Sequence, residues 1–184
     1  MRLPAIAPEA MTPAQRAVHD ATVAGPRGRM VPPVAAWLHS PGVAGPAQML
    51  GRHIRYESSL PLAWNEMAIL LVARHWGASY EWYAHKRMAL EAGLAPTVVA
   101  AILAGETPAL PPEAAAIFNY ATSLLGQRNV SAGQHEAMVA HWGTKGVVDL
   151  VALLGYYTLV SMTLNAFDVG LPPGEAAEVT PQPA

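Results

Sequence analysis

LAWNEMAILLVARHWGASYEWYAHKRMALEAG, residues 62–93, carries two helical patterns on either side of one glycine. Apolar residues crowd positions 67–73, and nothing alternates with period two as a half-buried strand would. Pro61 stands where a helix opens, Gly77 where it ends, and Gly93 closes the pattern that follows. The turn at Gly77-Ala78 is so short that the two helices must pack as neighbours. On the second helix Glu81 and His85 are four residues apart and share a face. Trp82 and Tyr83 lie between them in sequence, and Glu66 sits on the first helix among Met67, Ile69, Leu70, Leu71 and Val72. A carboxylate over an imidazole is either a partly exposed ion pair or an acid–base pair at a pocket wall.

The same punctuation continues along the chain. Thr12, Pro13 and Gln15 form a capped helix start, and Gly25 ends that helix. PRGRMVPP, residues 26–33, reads as a loop whose two arginines, Arg27 and Arg29, can lie near a pocket mouth. Ser40-Pro41 opens a helix to about Arg55, and Pro96 opens another that Gly105 ends. LPPEAAAIFNYATSLLGQ (110–127) and SAGQHEAMVAHWG (131–143) are two more, the second with a Ser131/Gln134 capping box. A long apolar helix, GVVDLVALLGYYTLVSMTLNAF (146–167), comes last. The expected fold class is all-α with seven or eight helices. Residues 1–170 form one domain, and residues 171–184, rich in Pro and Glu and without aromatics, form a tail.

Composition narrows the function classes. Of 184 residues, 52% are hydrophobic and only 13% charged, about half the charged share of a typical domain at about 25%. A surface so short of charge is usually covered by other subunits, which predicts a homo-oligomer. A net charge of −2 with no basic run argues against nucleic acid. There is no cysteine, so disulfides, thiolate metal sites and thiol nucleophiles are excluded. The N-terminus does not read as a secretory signal, and the expected location is cytoplasmic. The 146–167 segment is long enough to span a bilayer. Asp149, Gly155, Tyr156, Tyr157 and Asn165 within it favour the buried core of a helical assembly instead, with no membrane partner.

Two carboxylates beside one imidazole can hold and move a proton near neutral pH, because each carboxylate favours the histidinium that offsets their repulsion. Other polar residues have plainer readings. His75 closes its helix where a cation favours the dipole. His135 and His141 are six apart, on different faces, and His39 precedes the two central helices. No three-ligand metal spacing appears, so no metal is expected. Arg52, Arg55 and Arg74 are candidates for a substrate carboxylate, with surface salt bridges as the alternative. His53 is a candidate pocket residue. Tyr156, Tyr157 and Asn165 can supply hydrogen bonds inside an apolar cavity or simply pack in the core.

NEMAILLVARHWGASYEWYAHKRMALEAGLAPTVVAAILAG (65–105) resembles the core segment of the carboxymuconolactone decarboxylase family, which shares its fold with alkylhydroperoxidase D. LHSPGVAGPAQMLGRHIRYESSLP (38–61) and VVDLVALLGYYTLVSMTLNAFDVGLPPG (147–174) extend the likeness over most of residues 30–174. The peroxidase branch spaces Glu, Cys, Cys and His as Glu66, Ala78, Glu81 and His85 stand here, with both thiols replaced. The decarboxylase branch carries Glu-Trp-x-x-His, which Glu81, Trp82 and His85 match. The resemblance implies a cofactor-free enzyme, trimeric or hexameric, with its pocket near a subunit interface. Dithiol peroxidase chemistry needs an attacking and a resolving thiol and is unavailable without cysteine.

The expected function is decarboxylation, or related lyase, isomerase or cyclase chemistry, on a small unsaturated lactone or carboxylic acid. His85 is the expected proton donor, Glu81 sets its charge, and Glu66 is a second acid or orienting group. Trp82, Tyr83, His53, Arg52 and Tyr157 are the expected substrate-binding residues. The alternative is a non-catalytic helical oligomer that binds a small hydrophobic ligand and uses Glu81 and His85 only as an ion pair.

Overall fold

A computed structural model describes residues 1–181, and it is all-α. The order is α1 (Pro13–Ala24), α2 (Pro32–Trp37), α3 (Pro41–Tyr56), α4 (Leu62–Trp76), α5 (Ser79–Glu91), α6 (Pro96–Ala104), α7 (Pro112–Gln127) and α8 (Ala132–Ala166). A single 3-10 turn at Pro8–Ala10 precedes them, and the described residues contain no strand. Proline occupies the first turn of α1, α2, α3, α6 and α7, where its fixed φ suits a helix and its missing N–H has no partner to lose. Thr12 and Ser131 both close full capping boxes, with Gln15 and Gln134.

α4 is the hub. Every residue from Asn65 to Ala73 is buried, because α5, α6, α7 and α8 pack around it. Gly77 closes α4 in the left-handed region at φ 59°, and α5 starts two residues later. That turn sets α4 and α5 side by side, as the sequence requires. A side chain at Gly77 would also meet the backbone of Thr180 at 2.2 Å.

One segment differs from the sequence reading: Pro32–Trp37 forms the short helix α2, which starts inside the stretch 26–33 expected as a loop. It is held by burial and by the Trp37 indole N–H donating to Thr163 Oγ1 at 2.8 Å. Six residues are too few to carry a readable helical period. Up to residue 181 the Pro/Glu-rich tail is tied to α5. Ser79 Oγ donates to the Val179 carbonyl (2.8 Å), the Trp82 indole N–H donates to Glu178 Oε2 (2.7 Å), and Lys86 reaches both Glu178 oxygens. This strap lies along α5. Residues 182–184, the rest of the expected tail, lie outside the described residues.

α8 is the one helix among the described residues long and apolar enough to cross a membrane, and much of it is buried inside the bundle. Gly143, at φ 65° and ψ 174°, breaks it into the two helices that the sequence divides at the same glycine. Asp149 is tied down by the Ser59 N–H and hydroxyl and by Lys145. These bonds hold its pKa below the usual carboxylate value although partial burial pushes it up.

Candidate active site

His85 lies at the centre of the buried polar groups. Its Nδ1 is 2.5 Å from Glu66 Oε2 on α4, and its Nε2 is 2.9 Å from Glu81 Oε1 one turn earlier on α5. The side chains of all three are 5% exposed or less. Burial pushes the His85 pKa down, but Glu81 and Glu66 outweigh it and raise it to about 9. At neutral pH the ring is therefore a histidinium donating one N–H to each carboxylate. Both sides of the imidazole are taken, and the two carboxylates lie across the ring from each other.

A cavity of about 190 Å³ opens on one side of this group. From α5 it receives Tyr80, Glu81, His85 and Met88, and from α8 Tyr156 and Tyr157. Its cationic wall is Arg55 of α3 with Arg27 and Arg29 from the loop before α2. The Tyr157 ring meets the His85 ring edge-on at 5.1 Å, and Tyr156 meets Tyr157 in the same way. Tyr156 can lie against α3 because Gly51 has no side chain: a Cβ there would fall 2.1 Å from the Tyr156 hydroxyl. Burial pushes both tyrosine pKa values up, and Glu81 adds to the rise at Tyr157, so both stay neutral phenols. Burial works against the charge of Arg55, but Tyr157 and Glu66 reverse the effect and its pKa ends above the ordinary value.

Glu66 does not line this cavity. It lies behind His85, on a second cavity of about 470 Å³ between α3, α4 and α5. Arg55 Nη2 stands 3.9 Å from Glu66 Oε1, and Arg55 lines both cavities.

The structure divides the residues singled out in the sequence. Glu81, His85 and Tyr157 line the first cavity and Glu66 backs it. Trp82 and Tyr83 do not line it. Trp82 is 1% exposed and bonds the strap, and the Tyr83 hydroxyl lies 3.4 Å from Glu175 on the same side. The spacing that joins Glu81 to His85 also turns positions 82 and 83 off that face. Arg52 and His53 are exposed on α3 and pair with Glu57 at 3.4 and 3.2 Å, outside the cavity. Only Arg55, one helical turn after Arg52, turns inward. Arg74 donates to the Leu103 carbonyl, and Asn165 donates to the Trp76 carbonyl. Tyr80 and Met88 were missed. Met88 follows His85 by three positions, which is the signal that places it on the cavity face.

The chemistry available is specific. Three guanidiniums and one histidinium face two carboxylates, leaving net positive charge for an anionic ligand. Among the described residues no three His, Asp or Glu side chains converge as metal ligands. Compared with known proteins, the chain matches no family model and no curated protein.

Proposed function

We propose that the chain is a cofactor-independent acid–base enzyme of the carboxymuconolactone decarboxylase type, with the helical fold of alkylhydroperoxidase D. Its substrate is a small unsaturated carboxylic acid, or a lactone that carries a carboxylate. The observation behind this reading is the histidinium held between Glu66 and Glu81 at the wall of an arginine-lined cavity. Buried charge is costly and adds little stability in itself. A group built at that cost beside a cavity is better explained by proton transfer.

The ligand carboxylate binds Arg27, Arg29 and Arg55, and its unsaturated part lies against Tyr156 and Tyr157. Loss of carbon dioxide breaks a carbon–carbon bond, and the electron pair moves into the conjugated system. In a lactone substrate the cations stabilise the charge that collects on the ring carbonyl oxygen. The product carbon then takes one proton. Because both His85 N–H groups are engaged, the proton passes from Nε2 to Glu81, whose carboxylate faces the cavity, and from Glu81 to carbon. His85 is left neutral, and Glu66 keeps it oriented through Nδ1. This assigns delivery to Glu81 and storage to His85.

The arginines also bear on the alternative reading. A carrier of hydrophobic ligands has no use for three guanidiniums, a histidinium and a carboxylate in its pocket. A screen of unsaturated acids and carboxylated lactones for carbon dioxide release tests the proposal. Release by the wild type, lost in Glu81→Gln and His85→Gln, is the expected result. Binding of neutral apolar compounds without turnover of any acid would return the chain to the carrier class.

A further inference from the structure

The second cavity, on the Glu66 side of His85, is larger than the first, about 470 Å³ against 190 Å³. Arg55, Tyr56 and Met88 line both, so the two cavities share a wall. Two side chains meet at that wall. Arg55 Nη2 donates to Met88 Sδ at the partition, and Met88, unbranched and with three rotatable bonds, is the part that can move.

Residues that line the far cavity also carry buried polar atoms with nothing to bond. Among the described residues, Asn65 Oδ1, Glu66 Oε1 and Arg55 Nε find no hydrogen-bond partner, although Asn65 is 3% exposed and Glu66 1%. Buried polar groups are normally paired, and leaving one unpaired is costly. Two of these atoms are acceptors on adjacent residues of α4, and both residues line the cavity. They ask for a donor. The first cavity, by contrast, offers cations and phenols, and its volume is close to the roughly 150 Å³ that holds a single benzene ring.

We infer that the two cavities are lobes of one ligand site, and that its ligand is an elongated carboxylic acid ending in a hydroxyl or amino group. The acid end lies on Arg27, Arg29 and Arg55, the chain displaces Met88, and the terminal donor bonds Asn65 Oδ1 and Glu66 Oε1. Glu66 Oε2 stays on His85 Nδ1, so the ligand completes the acid–base group without breaking it. This rests on the reading of the first cavity as a carboxylate site.

Three probes separate the two ideas: benzoate, 4-phenylbutyrate and 4-(4-aminophenyl)butyrate, titrated by calorimetry into the full chain. Benzoate fills the first lobe only. The amino acid analogue is long enough for both lobes and carries the donor, and 4-phenylbutyrate has the length without it. The expected result is that the amino compound binds at least tenfold more tightly than 4-phenylbutyrate. Leu62→Trp, at a half-exposed position on the rim of the second lobe, should remove that advantage and leave benzoate unchanged. Asn65→Ala should do the same, and Leu62→Trp serves if the buried substitution does not fold. Equal affinity for the two long acids, or an advantage that survives Leu62→Trp, overturns the two-lobed site while benzoate binding keeps the carboxylate reading. No binding of benzoate overturns both.

Discussion

His85 joins stability and chemistry in one side chain. The sequence left open a partly exposed ion pair or an acid–base pair at a pocket wall, and the first of these would let His85→Ala leave stability almost untouched. The structure buries all three groups, which reverses the expectation. Removing the imidazole leaves Glu66 and Glu81 buried and unpaired, a loss of about 3–5 kcal/mol. Urea melts should show it at neutral pH and show it shrinking in acid, where the carboxylates take up protons. The wild type has its own pH dependence. Its His85 pKa is raised above the unfolded value, so the stabilisation is complete below the unfolded pKa and is lost as pH rises through the folded one. The window runs from the ordinary 6.5 to about 9, and the loss across it is about 3 kcal/mol. Turnover should follow the same proton. His85→Gln should lower it by about two to four orders of magnitude, and wild-type activity should fall as pH rises through about 9. In Glu81→Gln, one carboxylate fewer holds the proton, so any residual alkaline limb should move about one to two pH units lower. Unchanged pH–rate profiles in both variants would assign the group to packing. At this scale the sequence made the Glu/His pairing legible through helix geometry. The same geometry excluded Trp82 and Tyr83, whose aromatic character had drawn attention to them. Arg52 and His53 were not separable from Arg55 by residue type. What distinguishes them is which turn of α3 faces inward, and that is fixed by packing against α8.

α5 is held from two sides. One face carries Glu81 and His85 to α4, and the other carries Ser79, Trp82 and Lys86 to the strap. A chain ending at Gly174 loses the strap and leaves the buried Trp82 indole N–H unbonded, which costs about 1–3 kcal/mol. Hydrogen exchange should quicken at amides 79–91 more than in α7, and a uniform change across both helices would argue against a local clamp. Gly143 is a second test at this scale. Its φ and ψ belong to a region essentially reserved for glycine, and no atom lies within 4 Å of a Cβ built there. Gly143→Ala therefore meets backbone strain alone, about 1–3 kcal/mol, readable as a lower midpoint in a thermal melt. Most element boundaries were legible because proline and glycine mark them: Pro41, Pro96, Gly77, Gly105 and Gly143 each stand at an end or a break. α2 was not, since it has too few residues to repeat a pattern. The strap was not either. Its composition is that of a solvated segment, and Glu175, Glu178 and Val179 find partners far away in sequence.

On the scale of the whole molecule, the outer side of α8 from Val148 to Ala166 has no charge where a solvent-facing helix should have it. Val148, Val151, Gly155, Leu159, Met162 and Ala166 are exposed, and they fall at steps of three and four along one face. The row runs 18 residue steps from Val148 to Ala166, about 27 Å at 1.5 Å per step. A monomer would leave this seam in water beside the already low charge of the chain, and apolar strips of that length usually mark a contact. Its spacing is that of a helix–helix seam, with Gly155 at the middle where two backbones can approach closely. The expected partner is a second copy of the same helix, and the expected assembly is a homo-oligomer larger than a dimer, since α3 presents further exposed apolar residues at Val43, Met49 and Leu50. Light scattering at micromolar concentration checks the mass. Leu159→Glu with Met162→Glu places charge on the seam without touching the core, so the variant should stay helical by circular dichroism while its mass falls. A wild type that runs as a monomer, or a doubly charged variant that keeps the wild-type mass, would show that α8 is not the contact.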